Sequence, residues 1–213
     1  MSNAAGWATL FLLGVYHGIN PGMGWLFAVA LGMQEHSSRA VLRSLIPITL
    51  GHALAIGVVV LIAELIQVVV PMNFVKIAVA CLLVALGVYR VIRSRHFQWG
   101  GMRVGFLELT AWSFLMASAH GAGLMVLPVV LEMSTPMHHM HGMVMTGAGI
   151  TGVVATLVHT LGYLTVTAAV AMIVYQKVGL AILRKAWINL DLIWAVALIV
   201  TGCVAEMQGL RYV

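Results

Sequence analysis

The chain has 213 residues, of which 62% are hydrophobic and 8% charged, against about 25% charged in an ordinary soluble domain. So little polar surface cannot cover a globule in water, which excludes a soluble enzyme and makes lipid the expected solvent. The formal net charge of +5 would suggest a nucleic-acid partner in a soluble protein. Here the basic residues sit in short loops between apolar runs, which reads as membrane topology and not as nucleic-acid binding.

A helical span needs roughly 20 mostly apolar residues, and six such runs use up the chain. The first is expected from about Trp7 to Leu31, interrupted by Gly18-Ile19-Asn20-Pro21-Gly22. Met1 to Trp7 lack the positive segment that opens a secretory signal, so this run is expected to be retained. The second runs from about Val41 to Val70, before Pro71, and the third from about Phe74 to Ile92. The fourth is expected from about Val104 to Leu131, the fifth from about Val144 to Tyr175, and the sixth from about Ile188 to Met207. These runs are apolar all round, as buried or lipid-facing helices are, and they lack the ten-residue alternation of a membrane barrel.

The expected fold class is therefore an all-α membrane protein of about six transmembrane helices, one transmembrane domain over residues 1–213. The loops after the odd-numbered spans hold Arg39, Arg43, Arg90, Arg93, Arg95, Arg103, Lys177, Arg184 and Lys185, and the other side holds Lys76 and Arg211. That bias places the odd-numbered loops in the cytoplasm and both termini outside, in a cell (inner) membrane. Cys81 and Cys203 lie inside apolar runs, outside any CxxC pair, and are expected to be small apolar core residues.

The two halves resemble each other. Phe11, His17 and Gly18 align with Phe114, His120 and Gly121 at one constant offset, Leu50-Gly51-His52 resembles Leu157-Val158-His159, and Leu86-Gly87 stands against Thr201-Gly202. Repeat 1 covers about 7–93 and repeat 2 about 104–207. Three spans per repeat is odd, so the second copy lies upside down relative to the first. Inverted repeats of this kind are a transporter architecture, with the substrate near mid-membrane at the repeat interface.

Four histidines fall deep inside spans: His17, His52, His120 and His159. A single membrane histidine is often a hydrogen-bond partner between helices. Four, paired by the repeat, point to a shared site, and ionisable groups at such depth usually face a bundle interior or a cavity. Neutral imidazole is a ligand for zinc, copper, nickel and iron. No His-Glu-x-x-His and no serine-based triad is present, so no hydrolytic site and no enzyme is expected.

Beside His17, Pro21 removes a backbone donor and breaks the helix, and Gly18, Asn20 and Gly22 let the chain open. Opened backbone at membrane depth is tolerated only against protein or a water-filled cavity. The counterpart segment, His120-Gly121-Ala122-Gly123 with Pro128, has the same ingredients less compactly. Met23, Met116 and Met125 are soft thioether donors suited to Cu(I), or gap-filling core residues. The tract Met133 to Met143 carries His138, His139 and His141 among methionines and reads as a metal-capturing outer loop or a plain polar one. Glu64, Glu108 and Asp191 fall near span ends, and Glu108, a short way into the fourth span, is the best candidate for proton coupling.

The string His17-Gly18-Ile19-Asn20-Pro21-Gly22, followed by Leu50-Gly51-His52, resembles the nickel–cobalt transporters and related efflux permeases of the lysine-exporter superfamily. Val158-His159-Thr160 is similar to that family's Ser-His-Thr-like motif in the second helix. The resemblance implies a six-helix permease of two three-helix repeats that moves a divalent transition-metal cation, with His17 and His52 on the ion pathway. Met23 stands where the efflux members place a second histidine, and no aspartate accompanies His52 as in the uptake members.

These observations lead to a permease for a small cation, nickel, cobalt or a softer ion such as copper, with His17, His52, His120, His159 and Met23 as ligands. Gly18, Asn20, Pro21 and Gly22 form the helix break. The ion is cargo and no resident cofactor is required. The expected partners are the lipid bilayer and the metal ion, with a homo-oligomer left open. Two alternatives use the same residues: a b-type membrane cytochrome with haem held by paired histidines, and an exporter of a non-metal small solute.

Overall fold

The computed structural model describes residues 3–66, 72–92, 105–134, 144–178, 195–204 and 207, and no strand occurs among them. The elements are α1 (Asn3–Ile19), a 3-10 turn (Pro21–Met23), α2 (Trp25–Gln34), α3 (Ser38–Ile66), α4 (Met72–Ile92), α5 (Phe106–Ala119), α6 (Ala122–Ser134) and α7 (Val144–Ile173). A π-helical turn (Val174–Val178) extends α7, and a last helix, α8, covers Ala195–Val204. Among the described residues, α3 and α7 are long and apolar enough to cross a membrane, and the pair α5–α6, bent by 63° at its break, makes a third if taken as one span. Helices α1, α2, α4 and α8 are apolar but shorter.

The first apolar run is thus two helices with a turn between them, as Asn20 and Pro21 dictate. The fourth run is broken as well, but not by proline. Helix α6 continues through Pro128, and the bend falls at His120–Gly121, where Gly121 takes φ +71°. A left-handed residue cannot continue a right-handed helix, and glycine adopts it without steric cost. Pro47 likewise sits inside α3 without ending it.

Close approaches of backbone fix the packing. A Cβ on Gly14 would run into the carbonyl of His159, one on Gly18 would meet the Tyr163 carbonyl and Thr167, and one on Gly162 would run into the Phe11 carbonyl. Residue numbers climb together on the two helices, so α1 and α7 run parallel with their axes in near contact. Gly51 brings α3 against α5 in the same way, with Thr110 and Phe114 opposite. Between α3 and α7, His52 faces His159 while Val60 and Glu64 face Gly152, so these two helices are antiparallel. Helices α4 and α8 meet through reciprocal glycines: Gly87 lies against Ala195 and Ile199, and Gly202 against Ala80 and Val84. The spacing that pairs Gly87 with Gly202 also pairs Ala80 with Ala195 and Val84 with Ile199, so each side presents the same notch to the same ridge.

The core runs along the α1–α3–α7 contact and under α2 and α6, with Leu10, Val29, Ile48, Ile56, Val126 and Ala155 fully buried. Outward faces are apolar too. Leu42, Ile46, Leu50, Leu54, Leu61 and Leu65 form an exposed stripe along α3, and Ile150, Val153, Leu157 and Leu161 form one along α7. Monomers in water rarely expose contiguous apolar surface of this kind. Cys81 and Cys203 also face outward, which corrects their expected place in the core. A small apolar residue is as well suited to the outer face of an all-round apolar helix as to its inner one.

Candidate functional site

Three of the four span histidines come together where α1, α3 and α7 meet. Their ring centroids stand 5.7 Å apart for His17–His52, 4.9 Å for His17–His159 and 5.6 Å for His52–His159. All three are 0% exposed. The helices bring them there because Gly14, Gly18 and Gly162 let α1 and α7 approach at backbone distance. The ring of His17 is oriented by its Nδ1, which pairs with the carbonyl of Leu13 one turn earlier at 2.8 Å. No such bond fixes the other two. Both ring nitrogens of His52 and of His159 are buried without a hydrogen bond, although the Leu10 carbonyl comes close enough to interact with His159.

His120 adjoins this cluster from the second break. It ends α5, its Nδ1 pairs with the Met116 carbonyl at 2.8 Å, and it is 3% exposed. The Cε1–Nε2 edge of its ring lies 3.9 Å from the point where a Cβ on Gly22 would stand, which places the imidazole beside the first break. It is near enough to His17 for the two to interact electrostatically.

The backbone freed by the first break is almost fully satisfied. Asn20 takes the N-cap position of the 3-10 turn, its Oδ1 accepting from the Gly22 amide at 2.9 Å. The Ile19 carbonyl accepts from the Trp25 indole at 2.9 Å, the Asn20 carbonyl from the Met23 amide at 2.9 Å, and the Met23 carbonyl from the Tyr163 hydroxyl. The Gly18 carbonyl is weakly served, by Thr167 at 3.5 Å, and so is the Pro21 carbonyl, by the Gly24 amide at 3.4 Å. The break is therefore a built element, held open by a polar side chain from each direction.

Tyr163 completes the site, and two threonines with unpartnered hydroxyls stand near its histidines along the chain; sequence reasoning gave none of the three a role. The Tyr163 ring stacks on His52 at 3.9 Å with planes 4° apart, while its hydroxyl grips the break. Its signal was the spacing His159-x-x-x-Tyr163, which puts both on one helical face. Thr49 and Thr160 carry buried hydroxyls with no partner, next to His52 and His159 along α3 and α7. Tyr163→Phe keeps the stack and leaves the buried Met23 carbonyl unpaired, a loss of about 1–3 kcal/mol. Thermal unfolding in detergent is expected to fall by several degrees, and an unchanged midpoint would remove the tyrosine from the support of the break.

The other expected ligands are placed differently. The Met23 and Met125 side chains belong to the apolar core, and Met116 serves His120 through its carbonyl. His138, His139 and His141 and the acid Asp191 lie outside the described residues. Glu108 sits exposed in the first turn of α5 with its carboxylate folded back beside Gly105, the N-cap, where it complements the helix dipole. That position explains Glu108 without a proton path.

Among the described residues no group of three or more His, Cys, Asp or Glu side chains is placed to hold a metal ion, the histidine cluster included. The planes of His52 and His159 are 8° apart, so these two rings lie side by side and do not converge on one point. No family model, no curated protein and no solved structure matches the chain.

Proposed function

We propose that the chain is a six-span permease of two inverted three-helix repeats that carries a small cation, a divalent or soft transition metal, past His17, His52, His159 and His120. The observation that carries this reading is the meeting of three fully buried imidazoles from three helices, two of them with no hydrogen-bonded ring nitrogen. Buried polar atoms without partners cost stability and are kept where a ligand uses them. Neutral imidazoles offer nitrogen lone pairs to a transition metal without the desolvation cost of a carboxylate.

The packing supports the inverted arrangement. Equivalent helices α3 and α7 run antiparallel, as do α4 and α8, and α1 packs on α7 as α5 packs on α3. A two-fold axis in the membrane plane requires these relations. The exposed apolar stripes of α3 and α7 are then lipid-facing, and the broken pairs α1–α2 and α5–α6 are single spans interrupted beside the site. The resemblance to the nickel–cobalt transporters agrees with a path through His17 and His52. The haem reading fits less well, because Tyr163 and two other imidazoles pack around His52 and leave no flat slot for a macrocycle.

Equilibrium dialysis of the purified protein against Co²⁺, Zn²⁺ and Cu(I) tests the proposal. Wild type is expected to bind one of these, and His17→Ala to lose at least about tenfold in affinity, as lost ligands do. Equal binding by both proteins counts against the site, no binding of any of the three favours a non-metal solute, and a Soret band in the absorption spectrum favours haem.

A further inference from the structure

On α3 and α7 the buried side-chain atoms without a hydrogen-bond partner belong to Thr49, His52, Glu64, His159 and Thr160. Four of these residues gather at the histidines. Glu64 stands apart, twelve residues beyond His52 and so about 18 Å along the same helix. It is not a stray surface acid. Its Oε1 is buried against Gly152, where any Cβ would collide with the carboxylate, and its Oε2 lies 3.9 Å from the Cβ position of Gly149. The missing side chain at Gly152 makes the room that the carboxylate fills, and Gly149 lies in ordinary contact with it.

Glu64 and His52 both reach α7, Glu64 at Gly152 and His52 at His159, and these two α7 positions lie on one face of that helix. Between the two stand Ile56 and Val60, with Ala155 of α7, at 0%, 3% and 0% exposure. The seam between α3 and α7 thus holds two polar stations separated by an apolar plug. It is also one-sided. The spacing that pairs His52 with His159 pairs Glu64 with Ala171, which is 0% exposed, and Gly152 with the buried Leu45. The same point of the seam at its other end is closed by apolar side chains.

We propose that Glu64, in the space left by Gly152, is a second cation station on this seam, serving the same cargo as the histidines from one side of the protein only. This rests on the proposed function. A carboxylate supplies the negative charge that neutral imidazoles lack, so it draws a hydrated cation to the end of the seam. One oxygen ligand set is too weak to retain the ion, and passage inward waits on movement of Ile56 and Val60. Ionisable groups at the edge of the apolar layer mark such pathways.

Labelling by the hydrophobic carbodiimide N,N′-dicyclohexylcarbodiimide, read at the Glu64 peptide by mass, tests it on the full-length protein in detergent, with Glu64→Gln to assign the label. Co²⁺ is expected to slow labelling about tenfold in wild type and equally in His52→Phe, whose histidine site no longer binds. An unchanged rate in samples that dialysis shows to hold cobalt overturns the station and leaves the histidine site standing. Absence of label at Glu64 also overturns it, and a wild type that neither binds cobalt nor is protected by it removes both proposals together.

Discussion

His52→Phe is expected to make the protein more stable and to stop cation binding at the histidines. The two effects have one cause. Phenylalanine is also a flat ring, though a larger one, and keeps the stack on Tyr163, which stands 3.9 Å from the His52 ring. It removes two buried nitrogens that have no partner, and relieving an unsatisfied buried polar group is worth about 1–3 kcal/mol. The unfolding midpoint in detergent should therefore rise, while cobalt binding at the histidines falls about a hundredfold or more through the lost ligand. A lowered midpoint together with retained binding would show that His52 is held by interactions of its own and is a structural histidine.

The largest loss of stability is expected from Gly14→Val. A side chain there meets backbone on the facing helix, the His159 carbonyl and the Tyr163 amide, and backbone cannot swing aside as a flexible side chain can. Overpacking in a well-filled core costs about 1–3 kcal/mol, and two helices must separate here to accommodate it, so the upper part of that range is expected. Separation also carries His17 away from His159, now 4.9 Å apart, and cation binding should fall with stability. Gly57→Ala is the internal control, since nothing lies within 4 Å of a Cβ at that position of the same bundle. Thermal scans of the three proteins decide it: similar midpoints for Gly14→Val and wild type would mean that α1 and α7 do not approach as described.

The places where sequence reasoning worked are those where one residue dictates local geometry. Asn20 and Pro21 announced the first break because a capping side chain and a missing amide act over a few residues. The histidines were legible as a group because a polar ring within a long apolar run has few structural uses. The second break was attributed partly to Pro128, yet the chain turns at Gly121. A proline marks a lost hydrogen bond, but a glycine turns the chain only when tertiary packing favours a positive φ, and local pattern does not reveal that. Tyr163, Thr49 and Thr160 were missed for a related reason. Hydroxyl-bearing residues are common in apolar helices, and only the contact between α3 and α7 shows which of them are left without partners. Glu64 was read as an interfacial acid, because Gly152, which admits its carboxylate, stands 88 residues later on another helix.

The matching faces of α4 and α8 have a consequence for how such a chain can arise. Gly87 receives Ala195 and Ile199 while Gly202 receives their counterparts Ala80 and Val84, so the contact is self-complementary in the manner of an isologous dimer. A single three-helix ancestor meeting a copy of itself would already possess the whole joint. Fusing two genes would then add a tether and nothing else, and later drift could place an acid in one copy and an alanine in the other without disturbing the hinge they share.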